Sequence, residues 1–213
     1  MSTAEFVVVA ETHPACRTLG PGTRFAVWVQ GCPLSCPGCV SPQWIPFEGG
    51  SRVAVADLAA DIVASGADGL TLSGGEPFAQ AAALAALIRA VRRERDLSVM
   101  CFTGFTLRHL RNRGDSAVEE LLGQIDLLVD GPYVAAEHGD LRWRGSANQR
   151  IRQLTARHAA DLDGPDRSAG LQIEVLGDGT VQWLGVPAVA DFRSRFEHAL
   201  KMAPLHEGSE RAR

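Results

Sequence analysis

Cys32, Cys36 and Cys39 fall at C-x3-C-x2-C in the stretch Gly31-Cys32-Pro33-Leu34-Ser35-Cys36-Pro37-Gly38-Cys39, directly after the apolar run Phe25-Ala26-Val27-Trp28-Val29. Thiolates bind soft metals, and a cube of iron and sulfide needs cysteines that wrap around it within one short loop. The prolines at 33 and 37 and the glycines at 31 and 38 favour a bent loop over a helix. Three ligands in place of four leave one iron open to a substrate, the condition that separates a chemical site from a closed structural one. The competing reading is a zinc site completed by His13, Cys16 or a distant residue. It is weakened by the lack of a second C-x2-C pair.

Further along, Ser73-Gly74-Gly75-Glu76-Pro77 follows a short apolar strand. Gly74 and Gly75 have no side chains, so backbone can approach a ligand there, and Pro77 can open the next helix. Backbone carbonyls beside Glu76 suit a cationic amine. Bulky residues at Gly74 or Gly75 are therefore expected to weaken ligand binding without loss of the cluster. Asp130 can hold a cation, a ribose hydroxyl or a turn amide. The segment Trp143 to Gln149 is dense in hydrogen-bonding groups, and Arg144 suits a carboxylate; alternatively it is an exposed loop. Gly20-Pro21-Gly22-Thr23-Arg24 reads as a tight turn whose place just upstream of the cysteine strand adds a functional reading. Cys101, in an apolar strand, reads as a small buried residue. The histidines at 109, 138, 158, 198 and 206 show no ligand spacing, and no residue is singled out as a catalytic acid, base or nucleophile.

Short apolar strands near residues 6–10, 25–30, 69–72, 98–102 and 125–129 alternate with helices near 55–65 and 79–95 and a shorter helical segment after Phe105. This alternation predicts an α/β fold with a parallel sheet, open or curved into a partial barrel. The cysteine loop, Ser-Gly-Gly-Glu-Pro, Thr103-Gly104-Phe105 and Asp130-Gly131-Pro132 each follow a strand. Ligands bind at such carboxyl ends, so four motifs are expected to converge on one rim.

The 213 residues fit one domain, with 46% hydrophobic and 22% charged residues. A net charge of -4 gives no general attraction to nucleic acid or to an anionic membrane. Five cysteines, three of them in one loop, are too few and uneven for a secreted disulfide scaffold, so a reducing cytoplasm is expected. The N-terminus lacks a signal-peptide pattern, and no run approaches the ~18 apolar residues of a membrane span.

The cysteine spacing resembles the cluster loop of radical S-adenosylmethionine enzymes. Within them the chain resembles the activating protein of the anaerobic class of ribonucleotide reductase. The likeness runs through Gly20 to Arg24, Ser35-Cys36-Pro37-Gly38-Cys39, Trp44, Leu72 to Pro77, Thr103-Gly104-Phe105, Leu128 to Gly131, Trp143 to Ser146 and Asn148-Gln149, in order across about residues 6 to 154. It implies a partial (β/α) barrel, a 4Fe-4S cluster on Cys32, Cys36 and Cys39, and S-adenosyl-L-methionine as the second cofactor. The backbone around Gly38 and Cys39 would touch the adenine side, and Gly74, Gly75 and Glu76 would form the cofactor-amine motif. The implied reaction makes methionine and a 5'-deoxyadenosyl radical, which takes a hydrogen from a backbone glycine of a partner enzyme. A flavodoxin or ferredoxin would donate the electron.

The resembled activases stop soon after the Asn-Gln segment, whereas this chain continues. Residues 1–160 are expected to form the cluster-bearing core, and residues 161–213 an accessory part of the same domain. That part comprises a flexible connection from Asp161 to Gly170, a hairpin over 171–184, a helix from about Pro187 to Met202 with Val189, Phe192, Phe196 and Leu200 on one face, and a frayed tail. Two other functions fit the motifs less fully: a radical enzyme acting on a small molecule or peptide, and a non-catalytic iron-sulfur redox protein.

Overall fold

The computed structural model describes residues 5–192, 195, 196, 198 and 199. In chain order the elements are β1 (Phe6–Cys16), β2 (Arg24–Val29), β3 (Ser51–Ala54), α1 (Val55–Ala64), β4 (Gly69–Gly74), α2 (Ala81–Arg92), β5 (Ser98–Thr103), α3 (Leu107–Asn112), α4 (Ser116–Leu122), β6 (Leu127–Asp130), β7 (His138–Leu141), β8 (Arg144–Ser146), β9 (Arg150–Gln153), β10 (Leu171–Val175) and β11 (Val181–Gly185). Seven of these strands form one sheet in the order β3-β1-β2-β4-β5-β6-β9.

The fold is α/β, but the sheet is mixed rather than parallel. Strands β2, β4, β5 and β6 run parallel, joined by helices, as the strand-helix alternation predicts. Strand β1 pairs antiparallel with β2 and β3, and β9 pairs antiparallel with β6. Four-residue strands such as Ser51–Ala54 and Arg150–Gln153 carry little apolar signal and exist through their neighbours' hydrogen bonds. Strand β1 runs past Pro14 to Cys16 because its register with β2 shifts twice, and irregular pairing on a bulged strand tolerates proline.

Alternate residues of each strand face the helices. Val27, Leu70, Leu72, Val99 and Leu128 pack there with Leu58, Ile62, Leu84, Leu87, Ile88 and Val91 of α1 and α2. Burying each such side chain contributes about 1.5–3 kcal/mol. Helix α2 begins later than its composition predicts, after a short 3-10 turn over Pro77–Gln80. Gln80 turns its amide into the sheet instead. It accepts from Val8 N at 2.8 Å and donates to the carbonyls of Val8 and Gln30 at 3.0 Å.

The other face of the sheet carries Ala26, Trp28, Met100 and Val129. Part of it is covered by the hairpin β10–β11, which forms its own two-stranded sheet. Leu184 of β11 is 1% exposed and packs with Cys16, Leu19, Ala26 and Trp28. The connection expected to be flexible is fastened: the Arg142 guanidinium donates to the carbonyls of Asp161, Asp163 and Pro165 at 2.8–3.1 Å. Past the hairpin, Phe192 and Phe196 lie edge-on to Trp183, with ring centroids 6.1 and 5.0 Å away. Leu200, Met202 and the expected tail lie outside the described residues. No helix among the described residues is long and apolar enough to cross a membrane.

Candidate functional site

Because β2, β4, β5 and β6 are parallel, the turns that leave them share one rim, and hydrogen bonds join those turns in series. Glu76 N donates to Gly31 O at 2.9 Å, tying the glycine turn to the cysteine loop. The Glu76 carboxylate accepts from Gly104 N at 2.9 Å, tying the same turn to Thr103-Gly104-Phe105. Gly131 N then donates to Phe105 O at 2.9 Å, which brings in the turn after β6. All four motifs therefore meet as one connected surface.

The cysteine loop hangs between fixed ends. Gly31 N and Cys32 N donate to the carbonyls of Trp44 and Ile45, both at 2.9 Å, so the Pro42–Ile45 turn forms its back wall. Trp28 and Trp44 pack behind it with their rings tilted 37° to each other and 5.8 Å between centroids, and the Gln30 amide donates to Pro46 O at 2.7 Å. Phe47 lies against Gly31, where a Cβ would stand 2.6 Å from its ring, yet it is 61% exposed. It forms part of an outer rim rather than core.

The three loop cysteines are half-buried free thiols, while Cys16 and Cys101 are fully buried. Leu34 N donates to Cys32 Sγ at 3.4 Å. Burial chiefly pushes the Cys32 thiol up, with smaller upward contributions from the charges of Glu76, Cys36 and Cys39. A metal centre that takes thiolates offsets such a rise. Among the described residues no three His, Cys, Asp or Glu side chains lie close enough to share one metal ion. A single zinc would draw its sulfurs within about 4 Å of one another. A cluster attaches each thiolate to a different iron, so three thiols spread along one loop fit it as a donor set. His13 and Cys16 are engaged elsewhere. His13 Nδ1 accepts from Ala15 N at 3.2 Å, leaving Nε2 to donate to Glu174 at 3.0 Å, and Cys16 contacts Thr18 Oγ1.

Gly74 has φ +102, and a Cβ there would stand 2.4 Å from Val29 N; at Gly75 a Cβ would stand 2.3 Å from Gly31 O. The close approach that demands glycine is thus made to the chain's own backbone, the end of β2 for Gly74 and the start of the cysteine loop for Gly75. The Glu76 carboxylate is turned into the protein. It is 0% exposed and accepts from Phe78 N and Thr103 Oγ1 as well as Gly104 N, each at 2.9 Å. Burial pushes its carboxyl up to about 7 against the downward pull of those three donors. Glu76 is a brace between turns.

Asp130 is likewise occupied, accepting from Leu107 N at 2.7 Å and Arg152 Nε at 2.8 Å, so it holds a backbone amide and a cation of the chain's own. Gly38 adopts φ +74, with Ala135 and Tyr133 3.2 and 3.8 Å from where its Cβ would be. Tyr133 has no place in the sequence motifs, and Thr103 enters them only as part of Thr103-Gly104-Phe105; its hydroxyl braces Glu76 and accepts from Phe105 N. Their only sequence signal is adjacency to the strand-end glycines.

The functional reading of Gly20 to Arg24 is corrected. This segment enters β2 from the opposite end of the sheet, and Arg24 is 0% exposed. Its guanidinium donates to Thr71 Oγ1, Ser98 Oγ and the carbonyls of Leu70, Ser98 and Pro21. Desolvation lowers its pKa to about 10, which leaves it charged. Trp143 to Gln149 is also not a loop: Arg144–Ser146 is a strand, and Gln149 accepts from Gly145 N and Ser146 N while donating to Gly131 O.

Comparison with known proteins matches residues 18–152 to the family described as 4Fe-4S single cluster domain. The chain is 37% identical over 148 residues to the anaerobic ribonucleoside-triphosphate reductase-activating protein of Vibrio cholerae, covering 64% of this chain and 91% of that one. It is 29% identical over 140 residues to the protein of the same name from Enterobacteria phage T4, covering 62% and 85%. It is 34% identical over 132 residues to pyruvate formate-lyase 1-activating enzyme of Escherichia coli K12, covering 57% and 51%.

Proposed function

The chain belongs to the 4Fe-4S single cluster family and, within it, to the activating proteins of anaerobic ribonucleoside-triphosphate reductases, and from that premise we propose that it is a radical S-adenosyl-L-methionine enzyme generating a glycyl radical on such a reductase. The observation that carries this reading is the hydrogen-bonded series of turns that joins the cysteine loop to Gly74-Gly75-Glu76. Cys32, Cys36 and Cys39 hold the cluster. Gly38 and Cys39 present backbone to the adenine side of the cofactor, and the Gly74-Gly75 turn presents backbone to its amine. Glu76 keeps that turn in register with the loop and with Gly104. When bound, the cluster supplies the electron that breaks a carbon-sulfur bond of S-adenosyl-L-methionine.

The chain's own contribution is positioning and shielding. Trp28 and Trp44 close the back of the loop, and an apolar wall limits solvent around a cluster. With no second thiol group of this kind in the sequence, an external donor of the flavodoxin or ferredoxin class supplies the electron, in a reducing cytoplasm. The sheet corresponds to a partial (β/α) barrel, with residues 1–160 as its core and 161–213 as an accessory part. A second reading, a radical enzyme acting on a small molecule or peptide, is favoured by Leu184, because the accessory hairpin narrows the face a partner's loop would enter.

The test mixes anaerobically reconstituted, reduced protein and S-adenosyl-L-methionine with the cognate anaerobic reductase. The expected result is a glycyl radical signal by electron paramagnetic resonance. Cofactor cleavage without a radical on any glycyl radical enzyme of the same cell would transfer the assignment to the second reading.

A further inference from the structure

Strand β9 is the last strand of the main sheet, so among the described residues its outward N–H and C=O groups have no strand beside them. Next to that edge lies a cavity of about 380 Å3 lined by Arg142, Arg144, Arg150 and Arg152 against a single carboxylate, Asp166. In a chain of net charge -4, four guanidiniums around one cavity run against the overall balance.

Part of this charge builds the cavity itself. Arg142 fixes the 161–165 wall, Arg152 is held by Asp130, and Arg144 donates to Gln149 O at 3.1 Å and to Asp166. Two groups are left over. Arg144 Nε is screened from solvent and has no acceptor, and the exposed Arg150 guanidinium makes no hydrogen bond or ion pair among the described residues. A buried cationic N–H without an acceptor costs about 1–3 kcal/mol, which an arriving oxyanion would offset. The remaining walls, from Ile151, Leu162 and Gly164, offer no aromatic face or side-chain amide to read a nucleobase.

The geometry points to a docking groove for an acidic, extended segment of the partner protein, with carboxylates on Arg144 and Arg150 and backbone paired along the open edge of β9. Strand β8 and Tyr133 lie between the groove and the cysteine loop. A Cβ on Gly145, next to Arg144, would stand 2.9 Å from the Tyr133 ring, and that ring borders Gly38. A segment anchored here can therefore deliver a neighbouring loop to the rim. The identity of the partner rests on the activase reading; the chemistry of the groove does not.

The experiment uses the iron-loaded full chain and labelled hexaglutamate, with hexaglutamine and inorganic tripolyphosphate as comparison probes, read by fluorescence anisotropy. Hexaglutamate is expected to bind, to weaken with salt, and to lose about tenfold in affinity in Arg150→Glu. The same variant should raise the KM for the cognate reductase in radical formation by a similar factor. Equal hexaglutamate binding by Arg150→Glu and the unaltered protein overturns the groove. So does tight tripolyphosphate binding without hexaglutamate binding, which would mark a small-anion site. Partner-free cofactor cleavage, measured alongside, separates these outcomes from failure of the activase reading: hexaglutamate binding with no radical on the reductase keeps the groove and removes that partner.

Discussion

Glu76 N donates to Gly31 O across 2.9 Å, so the glycine turn and the cysteine loop form one unit before any ligand arrives. A Cβ on Gly75 would stand 2.3 Å from Gly31 O and 2.9 Å from Trp44 O, both backbone atoms that cannot swing aside. Gly75→Ala is therefore expected to lower iron loading and cofactor binding together, in contrast to the expectation from sequence that the cluster would survive. Gly104→Ala meets only the flexible end of Leu34 and should retain iron. Iron content and visible absorption after anaerobic reconstitution decide it. Normal loading of Gly75→Ala would mean that the loop yields.

Alanine at Cys32, Cys36 or Cys39 should abolish the broad absorption of a cluster of about four irons. Alanine at Cys16 or Cys101 should leave it, because both are fully buried, away from the loop. Burial holds the Cys101 thiol well above its ordinary pKa, so it is a poor metal ligand at neutral pH. A cluster that persists in the triple loop variant would show that the thiols lie elsewhere.

Glu76 gives stability a pH dependence of unusual sign for a carboxylate. Its folded pKa, about 7, lies above the ordinary glutamate value of 4.5, so its contribution is fully present below about 4.5 and is lost as pH rises through 7. The shift corresponds to on the order of 3 kcal/mol. Glu76→Gln should flatten this part of the stability profile. Urea midpoints of the reduced, metal-free chain between pH 5 and 8 measure it, and an identical slope in the variant would assign the dependence to another group.

The strands and turns of the rim were legible because each strand is an apolar run stopped by glycine, a signal that needs no knowledge of neighbours. Edge strands β3 and β9 were not, since Ser-Arg-Val-Ala and Arg-Ile-Arg-Gln become strands only through their pairing. The bracing role of Glu76 and the structural role of Arg24 are hidden from the sequence for a related reason. Closeness in sequence to the cysteines suggested a shared site for Arg24, yet a six-residue strand spans about 20 Å and carries that segment to the far end of the sheet. Burial of the Glu76 carboxylate depends on Thr103 and Gly104, 27 and 28 residues away.

The accessory hairpin makes the most demanding prediction. If residues 171–185 are part of the core's second face, Leu184 should behave as a core residue. Its contacts are Cys16, Leu19, Ala26 and Trp28, and the hairpin is further held by Gln172, which accepts from Arg17 N at 3.0 Å and donates to Ala15 O at 3.2 Å. Leu184→Ala should cost about 2–4 kcal/mol, from lost transfer free energy and the cavity left beside Trp28. Val175→Ala, on the 72% exposed side of the same hairpin, should cost less than about 0.5 kcal/mol. The paired urea midpoints, followed by tryptophan fluorescence, test this. Equal small effects at both positions would mean that the hairpin is an appendage, and that the second face of the sheet is free for a partner's loop.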